Sequence, residues 1–147
     1  MEQETEKYTK KILRELTARL WKFPLKEYLS SEQFLRFCRE HDLEDHWKDM
    51  LELSYDTPGL YGDSVIKYAF ILFLDNIFYA RKDEFPALFA RLMMDFCRWN
   101  TCDLPIDDLK TDLVHLGYSD QEIGNEFSFR PVKGEDILKS RDDPCSQ

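Results

Sequence analysis

The stretch SVIKYAFILFLDNIFYAR, residues Ser64 to Arg81, decides the fold. From Val65 to Arg81, thirteen of seventeen residues are apolar, with no polar–apolar alternation and no Gly or Pro. A surface helix carries one apolar stripe; a helix apolar nearly all round is covered on most sides. Lys67, Asp75 and Asn76 interrupt the run, and it is too short to span a bilayer. These features predict a buried central helix near 64–81 wrapped by other helices. The fold class that follows is all-α: a bundle of five to seven helices, with a small helical pair near the C-terminus.

Working outward, Tyr55 to Gly62 (YDTPGLYG) is the clearest loop, since Pro58-Gly59 is a turn dipeptide. Asp63 or Ser64 is placed to cap the central helix. On its other side, Asp83 is placed to cap a helix over 84–99, and Pro86 is tolerated only in a first turn. Phe85, Leu88, Phe89, Leu92, Met93, Phe96 and Trp99 recur there at helical spacing, which predicts antiparallel pairing with the central helix. Nearer the N-terminus, Tyr8, Ile12, Leu13, Leu16 and Leu20 form an apolar stripe that Pro24 stops. Lys7, Lys11 and Arg14 share another face of that helix. Ser30 with Gln33 reads as a capping box for a helix ending near His41, and Asp42 as the cap of one over 43–54.

Beyond residue 103, Leu109, Leu113 and Leu116 give one stripe, Gly117 suits a left-handed C-cap, and Ser119 to Glu122 forms a second capping box. Asp107 and Asp108 lie where a helix dipole favours acids. Residues 1–127 thus read as one helical domain, with 103–127 as an acidic helical pair packed on it. Residues 128–147, with Pro131, Gly134 and Pro144, read as an extended or disordered tail.

At 147 residues and 43% hydrophobic content, the chain can bury a sizeable core. Five glycines and six prolines are few for an all-β protein with many turns. Cys38, Cys97, Cys102 and Cys145 form no C-x-x-C pair and no signal peptide precedes them, so reduced thiols in a cytosolic protein are expected. A net charge of −9 argues against a general nucleic-acid or membrane-surface binder. The charge is also uneven. Residues 1–26 carry seven Lys/Arg against four Glu, a balance of +3 that leaves −12 for the remainder. Either the basic helix lies against the acidic end, or the two mark partner-binding surfaces.

Most catalytic signatures are absent: no Gly-rich phosphate loop, no G-x-S-x-G, and no Cys/His spacing suited to zinc. No cofactor is implied. The one dense polar cluster is RFCREHDLEDH, Arg36 to His46. His41, Glu44, Asp45 and His46 carry metal-ligand chemistry, but a helix break near Asp42 opposes their convergence. Arg36-x4-His41 and Arg39-x6-His46 resemble the arginine–histidine spacing of HEPN-family ribonucleases, which are also all-α. That resemblance implies Arg36 neutralising a phosphodiester and His41 moving a proton. The polar residue that usually follows the family's Arg is Phe37 after Arg36 and Glu40 after Arg39.

A second resemblance covers about a sixth of the chain. LPIDDLKTDLVHLGYSDQEIGNEF (104–127) resembles helical modules of prokaryotic abortive-infection and related phage-defence proteins, and implies a helical interaction module. The sequence therefore reads first as a non-enzymatic interaction or regulatory module. It would contact a protein partner, or a second copy of itself, through Lys7, Lys11 and Arg14, through Tyr55 and Tyr61, and through Asp107, Asp108 and Asp112. The alternatives are a HEPN-like ribonuclease using Arg36 and His41, and an acidic inhibitor that mimics nucleic acid.

Overall fold

A computed structural model describes residues 2–101 and 103–126. The described residues form eight helices and no strand: α1 (Glu2–Leu20), α2 (Leu25–Leu29), α3 (Glu32–Glu40), α4 (Glu44–Tyr55), α5 (Asp63–Ala80), α6 (Phe85–Trp99), α7 (Ile106–His115) and α8 (Asp120–Glu126). None is long and apolar enough to cross a membrane. The chain is all-α, as its apolar periodicity predicts. The expected tail at 128–147, with Cys102 and Cys145, lies outside the described residues.

The helix beyond the expected count is α2. Pro24 stops α1, but its φ of −75° also suits a helix start, and one turn follows at once. That turn inserts Leu25, Tyr28 and Leu29 into the core.

Cap positions shift from expectation in informative ways. Ser31, not Ser30, caps α3: the Phe34 N–H donates to its Oγ at 3.3 Å. Gln33 closes no capping box and reaches α6 instead. Asp42 does not cap α4. It takes a positive φ of 60° and closes the C-terminus of α3, where the Leu43 N–H donates to the Cys38 carbonyl at 2.7 Å and the Asp42 N–H to the Arg39 carbonyl at 3.3 Å. That is a Schellman closure, with an aspartate in the position usually held by glycine. Neither Asp63 nor Asp83 makes a side-chain cap; Asp63 pairs with Lys26. The second expected capping box does form: Ser119 N–H donates to Glu122 Oε1 at 3.1 Å, and Glu122 N–H to Ser119 Oγ at 3.2 Å. Gly117 has the expected positive φ, at 109°.

One continuous core runs from Ile12 on α1 to Ile123 on α8. Helix α5 crosses it and buries Val65, Ala69, Phe70, Phe73, Leu74 and Ile77. Its backbone comes nearest to α4 and α1, and less near to α6, the helix expected to pair antiparallel with it. Helix α4 runs antiparallel to α5: Ser54 meets Val65 at one end, and the Trp47 ring meets Phe73 further along, 5.5 Å between centroids. Ser54 is fully buried and its Oγ donates to the Val65 carbonyl, so its small side chain lets the two backbones approach. Helix α6 buries Phe85, Leu88, Phe89, Leu92 and Phe96, and these bulky residues hold its backbone away from α5. Its backbone comes nearer α3, α8 and α2, and it meets α5 through side chains, the Phe85 ring 5.6 Å from that of Phe78.

Candidate functional site

The contact between α3 and α6 leaves an open cleft of about 230 Å³. Phe37, Glu40 and His41 line one side; Arg91, Met94, Asp95 and Arg98 line the other. Both sets follow helical arithmetic: residues i, i+3 and i+4 share one face of α3, and i, i+3, i+4 and i+7 share one face of α6.

Asp95 anchors this wall. Tyr28, buried beneath it, donates its hydroxyl to Asp95 Oδ2 at 2.5 Å, and Gln33 Nε2 donates to Oδ1 at 3.1 Å and to the Asp95 backbone carbonyl at 3.2 Å. The Tyr28 ring packs against Phe34, Phe96 and Trp99, so the phenol is fixed before it meets the carboxylate. Burial and the bond to Asp95 push the Tyr28 hydroxyl well above the usual phenol range, and it stays a donor.

His41 ends α3 and is partly buried, its ring 4.4 Å from that of Phe37. Its backbone carbonyl accepts from Arg81 Nη1 at 2.9 Å. Burial and then the charge of Arg91 hold the imidazole below its ordinary 6.5. Arg81 acts in the same direction, while Glu40 and Asp95 oppose it. Arg91 and Arg98 are exposed, and neither forms an ion pair among the described residues.

Comparison with protein-family models, curated proteins and solved structures finds no match to this chain.

The structure does not bring Arg36 to His41. Five residues along an α-helix turn the side-chain direction by about 140° from the start, and Arg36 is exposed and does not line the cleft that holds His41. Arg39, the second arginine of the spacing, is paired with Glu44 at 2.7 Å. No group of three or more His, Cys, Asp or Glu among the described residues is placed to hold a metal ion. The signal that could have found the cleft was Arg91, Asp95 and Arg98, a polar stripe on a helix otherwise read only for its apolar face.

The expected contact residues divide. Lys7, Lys11 and Arg14 are exposed along α1, and Asp107 and Asp108 are exposed in the first turn of α7. Tyr55 and Tyr61 are 65% and 80% exposed. Asp112 is a correction: it is 1% exposed and faces inward, where Arg19 Nε and Nη2 donate to its two oxygens at 3.0 and 3.2 Å. The basic helix thus lies against the acidic end through this pair, and Asp112 is not available to a partner. Its loss from the surface also subtracts from any single acidic face of the kind a nucleic-acid mimic requires.

Proposed function

We propose that the chain is a non-enzymatic helical interaction module that engages a protein partner through the tip of its α4–α5 hairpin. The observation that carries this reading is the exposure of Tyr55 and Tyr61, joined by Leu53 at 53% exposed, on a segment tied down by its own hydrogen bonds. Thr57 Oγ1 donates to the Leu53 carbonyl at 2.8 Å and Ser64 Oγ to the Tyr61 carbonyl at 2.6 Å. Gly59 and Gly62 take positive φ values of 88° and 59°, which let the chain turn between the helices. Tyrosines on such a support offer large contact area at low entropic cost, the property that enriches them at interface centres. Glu52 and Asp56 flank the aromatics and are exposed, so the complementary partner presents an apolar pocket with a basic rim. The resemblance of 104–127 to helical modules of phage-defence proteins supports a contact role of the same kind.

Placing a photo-crosslinking amino acid at Tyr61 tests this. A discrete adduct is expected, and the purified partner should bind the Tyr55→Ser/Tyr61→Ser double variant at least about tenfold more weakly, roughly 1.4 kcal/mol. A partner that binds the double variant as tightly as the original chain would sink the proposal, and a second copy of the chain is one partner the assay can return.

A further inference from the structure

The cleft between α3 and α6 is separate from the hairpin tip, and its polar groups have a defined arrangement. Asp95, four residues after Arg91 and three before Arg98, is the carboxylate on α6 best spaced to neutralise either guanidinium. Both its oxygens are already engaged, by Tyr28 and Gln33. Among the described residues neither arginine has an ion-pair partner, in a protein of net charge −9 where five other cations, at Arg19, Lys26, Arg39, Lys48 and Arg81, are ion-paired. Arg91 and Arg98 are seven residues apart, so they stand on one face of α6 about 10.5 Å apart along its axis. His41 faces them from α3 and feels the Arg91 charge. Phe37 and Met94 add apolar surface between the polar groups, which strengthens any charge–charge contact made there.

We propose that this cleft binds a small phosphate-bearing ligand between the Arg91 and Arg98 guanidinium groups, with His41 as the third donor. Guanidinium forks match phosphate oxygens in pairs, and the three candidate donors line one cleft from two helices. The cleft volume of about 230 Å³ is below the ~300–1,000 Å³ typical of pockets for drug-sized ligands, so a phosphate or a small phosphate monoester fits within it. Binding is coupled to the His41 proton. Burial, Arg91 and Arg81 disfavour the charged imidazole, Glu40 and Asp95 oppose them, and an added dianion favours the charged ring.

The test is an NMR titration of the full chain at low ionic strength, with inorganic phosphate and separately with phenyl phosphate. Saturable shifts are expected at His41 and at the amides of Arg91 and Arg98, with the His41 titration midpoint moved upward. Arg91→Gln and Arg98→Gln, both at exposed positions, should each weaken binding at least tenfold, while Arg36→Gln leaves it unchanged. Tighter binding of phenyl phosphate identifies a monoester ligand; equal or tighter binding of inorganic phosphate identifies the free ion. Non-saturating shifts, equal losses in Arg36→Gln, or no response to either probe would overturn the proposal.

Discussion

Removing the two halves of the Arg19–Asp112 pair separately should cost unequal amounts. Asp112 is 1% exposed and accepts from two nitrogens of Arg19, whereas the Arg19 side chain is 37% exposed. Arg19→Ala therefore leaves the buried carboxylate without its partner, and breaking a buried pair from that side costs about 3–5 kcal/mol. Asp112→Ala removes the buried charge itself. The arginine it leaves behind can turn to solvent, so the loss is closer to that of charge-assisted hydrogen bonds, about 1.5–3 kcal/mol. Replacing both partners together, Arg19→Met with Asp112→Leu, should cost less than Arg19→Ala alone, because no unpaired charge remains. Urea unfolding reads all three as shifts in midpoint at constant slope, and the double-mutant cycle gives the coupling. If Arg19→Ala proves no more damaging than Asp112→Ala, the claim that α7 is fastened to α1 through a desolvated carboxylate is wrong.

Two further outcomes follow from groups in or beside the cleft. The His41 pKa is lowered in the folded chain, so the unfolded chain binds the extra proton: this group's contribution is present above about pH 6.5 and lost as pH falls through the folded value. A His41→Asn variant should therefore lose less stability than the parent between pH 7.5 and pH 5 in matched urea titrations, and an identical loss would refute the assignment. Cys38 is fully buried and its thiol is pushed up to about 12, first by burial and then by Glu44 and Asp95. In a chain with Cys97, Cys102 and Cys145 replaced by Ser, a disulfide reagent at pH 8 should modify Cys38 only as fast as the protein opens; rapid modification would show the thiol accessible.

What could be read from the sequence was local. The all-round apolar character of 65–81 located the central helix because burial on most sides leaves little room for polar residues. Gly117 and the Ser119–Glu122 box were legible because their hydrogen bonds close within a few residues. Asp42 looked like a helix start and instead ends one. An acceptor side chain before a helical pattern is equally consistent with a left-handed C-cap, and only the φ of 60° separates the two. Which helix lies beside α5 was not legible at all. Periodicity shows that α6 has a buried face, but the close approach went to α4, where Ser54 permits it, and not to the phenylalanine-rich surface of α6.

The same distinction explains the site. Arg36 and His41 were linked by spacing along the chain, yet five residues on a helix put side chains on different faces, so a motif defined by separation carries no convergence until a second protomer or element supplies it. The groups that face His41 across the cleft come from α6, some fifty residues later. Asp95, on the same face, is held by Tyr28 and Gln33. The charge asymmetry resolves in a similar way. Arg19 with Asp112 and Lys26 with Asp63 fasten the basic N-terminal segment to acids of α7 and α5. The asymmetry that in sequence looked like two recognition surfaces is therefore spent in part on holding the fold, and Lys7, Lys11, Arg14, Asp107 and Asp108 are among the charges it leaves facing water.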